Sequence, residues 1–124
     1  MHLRNDFGKA ADDFTKGIAL NPGSPQVGNN LAWLRATCPE NAFRNGKEAL
    51  EIATRSCEIT GYKISNLVDT LAAAYAESGD FDHAIKYQKI CLELPNIPQK
   101  TRSGMEERLA LYQEHKPFRQ KPDP

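Results

Sequence analysis

The segment Gly79-Asp80-Phe81-Asp82-His83-Ala84 restates, without a gap, the pattern of Asn5-Asp6-Phe7-Gly8-Lys9-Ala10, and Asn45-Gly46-Lys47-Glu48-Ala49-Leu50 takes the same place between them. The small residues Ala10, Ala49 and Ala84 are therefore about 39 and 35 residues apart, and Leu31 and Leu71 about 40, a period that belongs to helical hairpins. One such unit cannot bury its apolar face by itself, so a chain built this way has to stack its units into a solenoid.

The spacing within each unit is helical throughout. Phe7, Ala10, Ala11, Phe14, Gly17 and Ile18 fall on one face of a first helix, with Asp6 as its cap and Asn21-Pro22-Gly23 as its stop. Ser24 and Pro25 open a second helix whose stripe is Val27, Leu31, Leu34 and Cys38, and Pro39 ends it. Pro39 to Gly46 is polar and reads as a loop. A third helix runs from about Lys47 to Thr60 and breaks at Gly61; a fourth starts at the cap Ser65 and stops at Ser78-Gly79-Asp80. Phe81, Ala84, Ile85, Gln88, Cys91 and Leu92 mark a fifth, capped by Asp80 and ended by Pro95, in which Gln88 is a polar intrusion. A sixth, from about Pro98 to His115, puts Met105, Leu109 and Tyr112 on one side and a charged face outward, as a capping helix does. No stretch alternates with period two, so the expected class is all-α: about six helices in antiparallel hairpins.

Composition narrows the function classes. The 124 residues carry 16 Lys+Arg and 16 Asp+Glu, a net charge of zero that gives no general drive toward nucleic acid or an anionic membrane. A mean hydropathy of -0.61 and the lack of any apolar run of membrane-spanning length argue against a bilayer protein. Cys38, Cys57 and Cys91 are odd in number and form no CxxC pair, which fits buried thiols in a reducing compartment, and no signal-peptide stretch follows Met1. A cytoplasmic setting is the expectation. His2, His83 and His115 lie far apart outside any metal-ligand pattern, and phosphate-cradling or nucleophile motifs are lacking, so neither catalysis nor a cofactor is expected.

Several residues in fixed register resemble the tetratricopeptide repeat, a unit of about 34 residues. The match is fullest in Val68 to Pro95, where Leu71-Ala72 stand for the leucine-small pair, Tyr75 for the first-helix aromatic, Gly79-Asp80-Phe81 for the turn, and Ala84 and Cys91 for the small positions of the second helix. Ala10, Phe14, Gly17 and Pro22 match a second helix and its terminator, and Leu31-Ala32 open the next first helix. Gln88 and Arg35 replace aromatics of the pattern. Asn29-Asn30-Leu31-Ala32-Trp33-Leu34 with Cys38-Pro39 is also similar to carboxy-terminal repeat blocks of bacterial multidomain proteins. The resemblance divides residues 1–115 into a partial repeat over 5–22, a repeat over 24–60 with a lengthened loop, a repeat over 65–95 and a capping helix over 98–115; a proline-rich basic tail fills 116–124.

That family implies a right-handed α-α superhelix, with a protein or peptide partner on a concave face made by the first helix of each unit. Its groove positions fall here on Gln26, Asn29, Trp33, Ala36 and Thr37, then on Asn66, Asp69, Ala73, Ala76 and Glu77. Trp33 lies off the main apolar stripe, which fits a contact anchor or packing against the next repeat. Asn29, Asn30, Trp33, Asn66 and Thr70 include no cation, against a clamp for a terminal carboxylate. The first helix has no preceding partner, leaving Phe7, Phe14 and Ile18 half covered. A longer chain or self-association through that end would cover them, so a structural, self-associating repeat segment is the alternative to an adaptor. The tail, Lys116 to Pro124, is expected to be extended, either frayed or tethering a partner.

Overall fold

A computed structural model describes residues 6–121. Residues 1–5, which include His2 and the first position of the repeat assigned to 5–22, and residues 122–124 of the tail lie outside the described part. Six α-helices follow one another: α1 (Phe7–Leu20), α2 (Pro25–Thr37), α3 (Gly46–Thr60), α4 (Ser65–Glu77), α5 (Phe81–Glu93) and α6 (Gln99–Gln113), with one short 3-10 turn at Asn41–Phe43. There is no strand among the described residues, and no helix of theirs is long and apolar enough to cross a membrane.

Local chemistry sets most of the boundaries. Asp6, Ser24, Asn45 and Asp80 each accept a hydrogen bond from the backbone N–H three residues on, satisfying a donor that the first turn leaves unpaired. Gly61 takes a left-handed φ of 67° at the end of α3, and Tyr62 N–H then closes back on Cys57 O at 2.9 Å. Gly79, at φ 85°, makes the tight turn between α4 and α5. One expected cap differs. Ser65 is the first helical residue of α4, and the boundary residue is Ile64, whose side chain cannot accept a bond; the carbonyl of Ile64 instead takes Val68 N–H at 3.1 Å.

α2 pairs with α3 and α4 with α5 as hairpins, and the second hairpin stacks on the first through α4, which touches both α3 and α2. α1 packs on α2 and α6 on α5, closing the two ends. The centre is lined with small residues, Ala32, Ala36, Ala49, Ala53, Cys57, Ala73, Ala74 and Cys91, around Leu67, Val68, Leu71 and Met105. Small side chains let helix axes approach, and dense packing does the rest. Phe7, Phe14 and Ile18 are half-buried beside Ala11, Leu31, Leu34 and Phe43. Met105 and Tyr112 of α6 are buried, whereas Leu109 is only half-buried.

The polar intrusion at Gln88 is partnered through its amide nitrogen, while its Oε1 has no hydrogen-bond partner among the described residues. Fully buried, it donates from Nε2 both to Asp69 Oδ1 and to Met105 O, each at 2.9 Å, and so ties α5 to α4 and α6. An aromatic ring there would leave both acceptors short of a donor.

Candidate functional site

α2 and α4 lie side by side, so residues four apart on each helix line one shared face. Asn29, Trp33 and Thr37 run along α2; Asn66, Asp69, Thr70 and Glu77 run along α4. Gln26 is exposed in the first turn of α2, while Ala36, Ala73 and Ala76 are buried in the clusters beneath the face. The face thus brings together six of the polar and aromatic positions singled out above, Asn29, Trp33, Thr37, Asn66, Asp69 and Glu77, and sets the three alanines under them.

One half of this face is an open cavity of about 440 Å³. Phe7, Ala10 and Phe14 of α1 give it an apolar wall; Asn29, Asn30, Trp33 and Leu34 of α2 and Asn66, Asp69 and Thr70 of α4 form the rest, with Gln120 at its edge. Asn29 is only 8% exposed, and its Oδ1 has no hydrogen-bond partner among the described residues.

Asp69, 6% exposed, is held by three donors: Gln88 Nε2 at 2.9 Å, Arg108 Nε at 3.1 Å and Arg108 Nη2 at 2.9 Å. The forked contact fixes the Arg108 guanidinium, whose carbon then stands 5.4 Å from the Trp33 ring and 5.2 Å from that of Phe118. The sequence reading did not single out Arg108. It lies 39 residues from Asp69, and no local periodicity links the two positions.

The other half of the face is covered by the tail. After α6 the chain turns at His115, with Lys116 N–H bonded to Leu111 O at 2.9 Å, and residues 117–121 run back over α2 and α4. Phe118 sits on Trp33 with ring centroids 5.7 Å apart. Arg119 Nη1 reaches Glu77 Oε1 at 2.6 Å. Gln120 donates its backbone N–H to Thr37 O and its Nε2 to Thr37 Oγ1, both at 2.8 Å. The described part of the tail carries neither helix nor strand and is seated on the face, where a frayed end was one of the two expectations.

The lengthened loop after α2 contributes to the same edge. Arg44 donates to Cys38 O at 2.7 Å and lies 3.5 Å from Glu77 Oε2, so Glu77 faces two guanidinium groups. The three cysteines are free and buried away from the face. Burial pushes the Cys57 and Cys91 thiols up to about 12, and raises Cys38 less.

Fold and site together define an all-helical protein of stacked hairpins with a groove shared by α1, α2 and α4. Compared with models of known families, with curated proteins and with solved structures, the chain has no match.

Proposed function

We propose that this chain is a protein interaction module, a superhelix of the tetratricopeptide kind that holds an extended segment of a partner protein or peptide on the α2/α4 face and performs no catalysis. The observation that carries this reading is the seating of residues 118–120, an extended segment gripped through its backbone as well as its side chains. The cavity beside it, with an apolar wall on α1 and amide groups on α2 and α4, offers further room of the size a few peptide side chains fill. Three buried free thiols fit a reducing, cytoplasmic setting.

The test is selection of binders from a random peptide display library on the immobilised chain, followed by calorimetry of the selected peptides. Asn66 is exposed and lines the cavity, so Asn66→Arg obstructs it without disturbing the core. Selected peptides are expected to lose at least about tenfold in affinity, roughly 1.4 kcal/mol, against Asn66→Arg. Failure to select any peptide, or binding indifferent to Asn66→Arg, overturns the reading.

A second reading, self-association through α1, is favoured by one observation: Phe7, Phe14 and Ile18 are only half-buried on α1, and Leu20 of the same helix is 87% exposed. Light scattering over a concentration series, with Leu20→Glu beside the parent, tests it; a strict monomer at high concentration rejects it.

A further inference from the structure

Resting on the peptide-binding reading, we propose that the α2/α4 face selects an extended segment presenting an aromatic ring, then a cation, then a side-chain amide on successive residues, and that the chain's own Phe118-Arg119-Gln120 occupies it until such a partner displaces it.

In an extended chain residues i and i+2 share a side and i+1 takes the other. Gln120 meets α2 at Thr37 and Arg119 meets Glu77 of α4, while Phe118 lies over Trp33 of α2 and also packs against the cluster that holds Ala72 and Ala76 of α4 and Tyr112 of α6. A segment lying in the seam between α2 and α4 touches both helices in this way. Each contact also states a chemical requirement. A flat ring is wanted over Trp33, because the Arg108 guanidinium held by Asp69 stands against both rings. A cation is accepted next, because Glu77, which faces Arg44 through Oε2, turns Oε1 to the segment. A donor is wanted last, for Thr37 Oγ1.

The backbone contact is independent of side chains. Thr37 is the last residue of α2, so its carbonyl is one of those that a helix end leaves without an internal partner. Gln120 N–H fills that position at 2.8 Å, and the N–H of any extended segment in the same register would do so too.

Two features make the tail an exchangeable occupant. Residues 117–120 are only half-buried and Lys121 is exposed, and of their side chains Phe118 alone packs against a core cluster. The adjoining cavity of about 440 Å³ stays open beside the described tail, room that a longer partner fills and residues 117–121 do not. Tethering compensates the tail for its few contacts, because a short connection holds it at an effective concentration on the order of millimolar.

The probe is a fluorophore-labelled synthetic peptide with the sequence of residues 116–121, read by anisotropy against the full chain and against the double variant Phe118→Ala, Arg119→Glu. A competent state freed from the tether binds more tightly in proportion to the fraction it regains, so the variant is expected to bind the probe about 10- to 100-fold more tightly than the parent. Probes that replace phenylalanine by alanine or arginine by glutamate should lose that gain. A folded variant that binds no more tightly than the parent, or that binds altered probes equally well, overturns the proposal. Hydrogen exchange on the parent gives the answer if the variant does not fold. A displaceable tail shows the Gln120 amide exchanging at least about 100-fold faster than that of Leu71, whereas equal protection makes the tail a structural strap and overturns the proposal. Display-selected peptides that bind the variant when the probe does not would sink this proposal and leave the interaction-module reading standing; if neither binds, both fall.

Discussion

Asp69 carries its carboxylate at a depth where a charge persists only when it is fully matched, and Gln88 and Arg108 match it with three donors. Removing the acceptor is therefore worse than removing one donor. Asp69→Ala strands a largely buried guanidinium and should cost about 3 kcal/mol or more, whereas Gln88→Leu, which leaves the Arg108 fork in place, should cost about 1–2 kcal/mol; urea unfolding of both variants checks the order. Part of this was readable from the residues. The helical register puts Asp69 on the same face as Asn66 and Ala73, and Gln88 stands out as the polar residue on an apolar stripe. That the two bond to each other, and that Arg108 completes the set, is a tertiary fact, since 19 and 39 residues separate the partners along the chain. Trp33 shows the same limit. Its position off the stripe is visible in the sequence, but its neighbours Arg108 and Phe118 come from α6 and the tail.

At the level of the elements, boundaries follow from short-range chemistry and were legible for that reason. A capping aspartate, serine or asparagine bonds three residues onward, within reach of any reader of the sequence. Ser65 escaped because a residue suited to capping also fits the first helical turn, and only the backbone of Ile64 distinguishes the two. The lengthened loop before α3 was visible as a loop, yet its work, Arg44 closing the carbonyl end of α2 and facing Glu77, was not. How closely α2 and α3 approach is testable through glycine. A Cβ on Gly28 would stand 2.9 Å from Ser56 Oγ and 3.2 Å from Ile52 Cγ2, whereas one on Gly104 of α6 meets nothing nearer than Arg108 Nη1 at 3.4 Å. Gly104→Ala is expected to stabilise by about 0.5–1 kcal/mol through helix propensity alone. Gly28→Ala should forfeit that gain, and Gly28→Val should destabilise by about 2 kcal/mol, both measurable as shifts in the urea midpoint.

For the whole molecule, the balance of 16 basic and 16 acidic residues leaves the buried acids to dominate at alkaline pH. Cys57 and Cys91 are held neutral up to about 12, and burial raises Tyr112 as well, while the unfolded chain releases these protons nearer the ordinary thiol value of 9.0 and tyrosine value of 10.0. Between those limits the folded state binds more protons than the unfolded one, so stability falls as pH rises, by on the order of 1 kcal/mol per pH unit for each thiol. Thermal unfolding should thus shift downward from pH 9 to pH 11, and a Cys57→Ala, Cys91→Ala double variant should show a shallower decline. A thiol reagent should label neither residue in the folded chain at pH 8 and both in denaturant, because access and thiolate are both withheld. The all-helical architecture was within reach of the sequence, since periodicity and breakers agree along its length. The return of the tail was not, because Gln120 and Thr37 lie 83 residues apart and nothing local joins them.

The chain has one tryptophan, and it is the residue on which Phe118 and Arg108 close. Indole emission is sensitive to a nearby cation and to solvent, so light absorbed by this single ring carries no background from others of its kind. The protein therefore comes with its own optical gauge. Lifting the tail exchanges an aromatic and guanidinium neighbourhood for water, and the colour of the emission should report, without any label, what fraction of molecules stands open at a given moment.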